Sequence, residues 1–197
     1  MEHHKLFPTN IFIQDDFFSK PKVLQKLIEK EYNNKNITNW QSKPDLLSKP
    51  SYREFVESVL KTNVNIIKKL NYEFESLVIT DMWSNILKPG ETHRPHTHAN
   101  NFLSGVYYPY AENTSGIVFT DPRQQANVIK PSKLQNTMDN SDVMLYQSKT
   151  NRIIIFPSWL QHFVPINTSK ENRFSISWNL QLKGKVGRSE EYQSALF

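Results

Sequence analysis

The chain has 197 residues, with 24 Lys and Arg against 19 Asp and Glu for a net charge of +5; that length predicts one domain with a sizeable core. It contains no cysteine, which excludes disulfides, thiolate zinc sites, iron–sulfur clusters and cysteine nucleophiles. The lysines are scattered, and the densest groups (Lys68-Lys69; Lys183, Lys185 and Arg188) are short, so the charge reads as a solvated surface that can also favour an acidic substrate, not as a nucleic-acid face. The N-terminal Met1-Glu-His-His-Lys-Leu-Phe-Pro8 lacks the apolar core of a signal peptide, and no run could span a membrane; a soluble, cytoplasmic protein without membrane partners is expected.

In chain order, residues 6–13 read as an opening strand. A helix is predicted from Pro21, with Ser19 or Lys20 before it and Val23, Leu24, Leu27 and Ile28 as its apolar stripe. Residues 33–49 are polar and loop-like. A second helix is predicted from Ser51, where Ser51-Tyr-Arg-Glu54 has the form of a capping box, and it should end near Asn71. Its apolar face holds Tyr52, Phe55, Val56, Val59, Leu60, Val64 and Ile67.

From about residue 75 the period changes to that of strands. Residues 77–87 have strand composition and Pro89-Gly90 makes a turn. A histidine-rich strand follows, then strands over 102–110 and 116–121. After a long polar loop at 131–141, a candidate cover for a site, come strands over 143–147, 152–156, 162–166 and 173–182. Two helices followed by about eight short strands predict an α+β protein built on a β-sandwich or jelly roll. The whole of 1–197 reads as one domain, with a helical part at 1–74, a β core at 75–183 and a tail at 184–197.

Four of the six histidines fall in two of these strands: His93, His96 and His98 in Glu91-Thr-His-Arg-Pro-His-Thr-His-Ala-Asn100, and His162 in Phe156-Pro-Ser-Trp-Leu-Gln-His162. On an extended strand His96 and His98 share a face with Cα atoms roughly 6–7 Å apart, so two imidazoles can converge on one metal. Such a pair is also common on ordinary surface strands. His162 adds weight, because it sits among Trp159, Leu160, Phe163 and Val164, where a neutral imidazole needs a partner. Three ligands would leave open positions on the ion, as a catalytic metal requires. His93 is offset from His96 by an odd number, so a regular strand would turn it away; His3 and His4 lie at the terminus. In the last strand Arg173, Ser175, Ser177 and Asn179 alternate with Phe174, Ile176, Trp178 and Leu180. If the polar face lines a cavity, Arg173 can grip a carboxylate through two parallel hydrogen bonds. No Gly-rich phosphate loop, serine-nucleophile elbow or zinc-protease helix is present.

The histidine pair, Leu103-Ser-Gly-Val-Tyr-Tyr108, Gly116 with Phe119-Thr-Asp-Pro-Arg123, Phe156-Pro-Ser-Trp-Leu-Gln-His162 and Arg173-Phe-Ser175 together resemble the 2-oxoglutarate/Fe(II)-dependent oxygenases. The similarity is greatest to a group from bacteria and phages that is distantly like prolyl 4-hydroxylases, and the opening Leu6-Phe-Pro-Thr9 extends it over nearly the whole chain. The resemblance implies a double-stranded β-helix with the two N-terminal helices packed on one sheet. It implies Fe(II) on His96, His98 and His162, 2-oxoglutarate held by Arg173 with Ser175, and a hydroxyl from Tyr107 or Tyr108. The implied reaction couples decarboxylation of 2-oxoglutarate to succinate with hydroxylation of a C–H bond, by analogy on a peptidyl side chain. One departure stands out: most of the superfamily carries Asp or Glu where this chain has His98, and Asp121 is a candidate substitute carboxylate. Two other readings stay open: a three-histidine cupin-type dioxygenase that does not use 2-oxoglutarate, and a non-enzymatic jelly-roll binding module.

Overall fold

The computed structural model describes residues 1–32, 36–123, 125 and 128–197. Period-two patterning builds its larger sheet. Strand β10 (Arg173–Lys183) lies inside an antiparallel sheet of six, flanked by β3 (Ser76–Leu87) and β5 (Leu103–Tyr110); β8 (Arg152–Pro157) and β1 (Phe12–Gln14) extend one side and β2 (Trp40–Gln41) the other. The smaller sheet has the order β4 (His93–His96), β9 (His162–Val164), β6 (Ile117–Thr120) and β7 (Val143–Tyr146). From β3 to β10 the chain passes repeatedly between the two sheets.

Each face of the larger sheet has its own apolar core. Phe174, Ile176, Trp178 and Leu180 of β10 join Tyr107, Ile153 and Ile155 on one face, where they meet Leu24 and Ile28 of helix α1 (Pro21–Glu31) and Phe55, Val59, Ile66 and Ile67 of helix α2 (Arg53–Lys69). On the opposite face Val106, Tyr108, Ile154 and Phe156 pack against Ile117, Phe119 and Leu160 from the smaller sheet and its connections. Adjacent residues of β5 thus serve different cores, as alternation requires. Gly105 belongs to the helix side, where a Cβ would run into the Trp178 indole.

Several expectations shift. The opening strand is confined to β1, which pairs Phe12 with Ile155 at the edge of β8. Leu6 and Phe7 are exposed and Phe7 has a left-handed backbone (φ 56°), a conformation that interrupts extended chain. In the expected loop 33–49, residues 33–35 lie outside the described residues. Beyond them, β2 pairs Trp40 with Ile86, a 3-10 turn spans Leu46–Ser48, and Trp40 and Leu46 are buried. The second helix has no capping box, because a 3-10 turn (Pro50–Tyr52) takes Ser51, and α2 starts at Arg53 with no side-chain cap. The Glu54 carboxylate instead accepts from Lys20 Nζ at 2.6 Å, tying the two helix starts together. The tail forms a small hairpin of β11 (Lys185–Val186) and β12 (Ala195–Leu196). Among the described residues no helix is long and apolar enough to cross a membrane.

Candidate metal centre

Strand β4 ends at His96, so His98 projects from the turn beyond it and not from the same extended strand. Its backbone N–H donates to the Ser158 carbonyl at 2.9 Å, and Ser158 is anchored in turn by a 2.8 Å hydroxyl contact with Ser104. His96 stands opposite His162 across the β4–β9 pair. The three rings have centroids 4.4–5.1 Å apart, and each offers a ligand atom within 4.8 Å of the others. Among the described residues no carboxylate joins this cluster.

The donor set fits a metal ion. Nδ1 of His96 lies 2.7 Å from the Arg94 carbonyl, and Nδ1 of His162 lies 2.9 Å from the Leu160 carbonyl. A carbonyl only accepts, so each Nδ1 carries the proton and each Nε2 lone pair is free. Nε2 of His98 faces Nε2 of His162 at 3.3 Å. Two nitrogens each about 2.1 Å from one ion and about 90–105° apart are separated by about 3.0–3.3 Å. Burial pushes His98 down to about 4 and His162 down to about 3, with His96 adding to both, so these two imidazoles are neutral and ready to bind near pH 7. His162 is buried and His96 exposed, so the cluster opens to solvent on the His96 side.

The other end of the site is a buried cation. Arg173 is 1% exposed. It donates from Nε to the Ser115 carbonyl (2.9 Å), from Nη1 to Ser175 Oγ (3.2 Å) and from Nη2 to Tyr108 Oη (3.1 Å), and it lies 4.7 Å over the Tyr108 ring. Among the described residues no carboxylate pairs with it. Ser175 Oγ also accepts from Asn85 Nδ2 at 3.4 Å, so its own proton is left to donate, as is that of Tyr108. Asn85 is fixed by bonds from Gln41 (2.8 Å) and Trp83 (3.1 Å) to its Oδ1. A cavity of about 450 Å³ joins the two ends, lined by the three histidines, Arg173, Ser175 and Asn85 among others, and among the described residues no Asp or Glu lines its wall.

The other candidates are placed elsewhere. Tyr107 points to the helix side, its ring tilted against Phe55 with centroids 4.9 Å apart, and it donates to Asn151 Oδ1 at 2.8 Å. Asp121 is taken by Arg123 through two side-chain bonds of 3.0 and 2.8 Å, which hold its carboxyl below the ordinary range. It lines a second cavity of about 500 Å³, beside the N-terminal segment with His3 and His4. Met138, Asp139 and Ser141 of the expected cover line that cavity and not the histidine one.

His93 reverses an expectation. Its register partner is Val164 while that of His96 is His162, so three steps on β4 match two on β9. This bulge turns His93 onto the face of His96, and it lines the histidine cavity. The signal was present in the sequence as Pro95, since proline inside a strand is confined to edges and bulges. Asn85, Trp83 and Gln41 carry no comparable local signal, because their roles depend on pairing β2, β3 and β10.

No curated protein matches the chain by sequence. Among solved structures, a Pseudomonas putida prolyl-4-hydroxylase is similar at 12% identity and TM-score 0.59, over 89% of this chain and 94% of that one. A viral collagen prolyl hydroxylase from Paramecium Bursaria Chlorella virus-1, solved with 2OG, matches at 14% identity and TM-score 0.58, over 86% and 94%. HygX from Streptomyces hygroscopicus, with nickel and 2-oxoglutarate bound, matches at 9% identity and TM-score 0.59, over 88% and 83%. At these identities the likeness shows the fold. The profile of the family described as "Putative 2OG-Fe(II) oxygenase" matches residues 81–179, half of the sequence, from the strand that carries Asn85, through the histidine turn, to the strand that carries Arg173. The chain belongs to that family of oxygenases, whose metal is iron(II) and whose cosubstrate is 2-oxoglutarate.

Proposed function

We propose that the protein hydroxylates a C–H bond of its substrate while 2-oxoglutarate is converted to succinate and CO2. The observation that carries this reading is Arg173. A buried guanidinium is costly to leave without a negative partner, yet here its neighbours are a carbonyl and two hydroxyls. Two of its five N–H groups remain unused, and they stand beside the free protons of Ser175 and Tyr108. That is a receptor for the distal carboxylate of a dicarboxylate whose 2-oxo acid end reaches the histidines.

In this reading His96, His98 and His162 hold iron(II), and Arg173, Ser175 and Tyr108 hold 2-oxoglutarate; Tyr107 and Asp121 take no part. Iron(II) with O2 and 2-oxoglutarate supplies the oxidising power, and the chain's residues supply orientation and charge. The carbonyls of Arg94 and Leu160 keep Nε2 of His96 and His162 unprotonated. Three neutral imidazoles leave the ion's charge to be offset by the cosubstrate, which couples the two binding events. Charge-transfer and succinate measurements separate this from the cupin-type reading, which gives Arg173 no ligand. The sheet orders β3-β10-β5-β8 and β4-β9-β6-β7 support a double-stranded β-helix, and 1–197 is taken as one oxygenase domain. The substrate is a peptidyl side chain: two structural neighbours are named prolyl hydroxylases, and the cluster opens to solvent at His96, where an extended chain can approach.

Anaerobic titration of Fe(II)-loaded protein with 2-oxoglutarate tests the reading. A weak visible charge-transfer band is expected in the wild type and its loss in Arg173→Ala. Iron bound without a band would favour the cupin-type enzyme, and absence of iron binding would leave only a binding module.

A further inference from the structure

We propose that His93 is a fourth histidine of the site, serving the cosubstrate and not the metal: its Nε2 donates a hydrogen bond to the distal carboxylate that Arg173 grips. This rests on the 2-oxoglutarate reading above and adds a residue to it.

Three observations converge. First, Nε2 of His93 is buried and has no hydrogen-bond partner, although a polar nitrogen buried unpaired is destabilising. Second, the β4 bulge exists at the cost of a regular β4–β9 ladder, and its effect is to place this ring in the same cavity as Arg173 and the three histidines. Third, among the described residues the metal-competent cluster contains His96, His98 and His162 but not His93. The ring and Arg173 line the same cavity. In the tautomer with its proton on Nε2, His93 joins the Arg173 guanidinium in presenting N–H donors to one cavity, and among the described residues no carboxylate lines its wall. A carboxylate with two oxygens can accept from both, and from the Ser175 and Tyr108 hydroxyls as well.

The test compares two acids on Fe(II)-loaded protein under anaerobic conditions, by calorimetric or spectroscopic titration. 2-Oxoglutarate has the distal carboxylate; 2-oxobutanoate has the same 2-oxo acid head without it. His93→Ala is expected to weaken 2-oxoglutarate by about tenfold or more, as for loss of a hydrogen bond to a charged group, and to leave 2-oxobutanoate within about twofold. His93→Gln, which keeps an N–H donor, is expected to recover part of the loss, and it carries the test if the alanine variant does not fold. Iron affinity should be unchanged in both. An equal loss for both acids, no loss for 2-oxoglutarate, or a loss of iron would each overturn the assignment. A wild-type protein that forms no complex with 2-oxoglutarate fails earlier and overturns the cosubstrate reading itself.

Discussion

At the scale of single residues, the two ends of the cavity are built by opposite uses of burial. At the histidine end burial favours the neutral form, so His98 and His162 sit at about 4 and about 3 where an ordinary histidine sits near 6.5. At the other end Arg173 cannot lose its proton, so burial leaves it needing an anion. The first effect has a measurable sign. Between pH 6.5 and about 4 the unfolded chain binds protons at these positions that the metal-free folded protein does not. Stability of the metal-free protein should thus be full above pH 6.5 and fall as the pH drops through that window. Melting temperatures in chelator across pH 4–7.5 check this, and His162→Gln should flatten the slope. An unchanged slope in the variant would show that the acid sensitivity lies elsewhere.

At the scale of elements, β5 and β10 position the site because each has two distinct faces. Residues 173, 175 and 177 of β10 face the cavity while 174, 176 and 178 form the core beneath the helices. The tightest point of that core is where Gly105 of β5 lies against the Trp178 ring. Gly105→Ala should push the indole or the strand aside and destabilise the fold by about 1–3 kcal/mol, the range for overpacking a filled core. Denaturant unfolding measures it, and a variant as stable as the wild type would show that Trp178 can swing away. On the smaller sheet, His96 and His98 do converge, with His162, but not by the alternation that the sequence argument used. A turn, not a strand, presents His98, and the bulge at Pro95 returns His93 to the cavity. Local period was legible there; departure from it was not.

At the scale of the whole molecule, the site joins the two sheets, with Arg173 and Asn85 on the larger and His96 and His162 on the smaller. A metal bound by the histidines should therefore stabilise the assembled fold by mass action, about 2.7 kcal/mol at a hundredfold excess over Kd. The melting temperature should rise with added Fe(II) under anaerobic conditions, return on chelation, and not respond in His96→Ala; a wild type indifferent to metal would count against the cluster as a metal centre. By itself the sequence determined the two helices, most of the strands, the three clustered histidines and the polar face of Arg173 and Ser175, because each follows from a period or a short motif. Tertiary structure alone decided that Tyr108 and not Tyr107 meets the arginine, that Asp121 is held by Arg123 away from the histidines, and that Asn85 braces Ser175. Those outcomes depend on which sheet face packs on the helices and on register between strands distant in sequence, and neither is written in any local pattern.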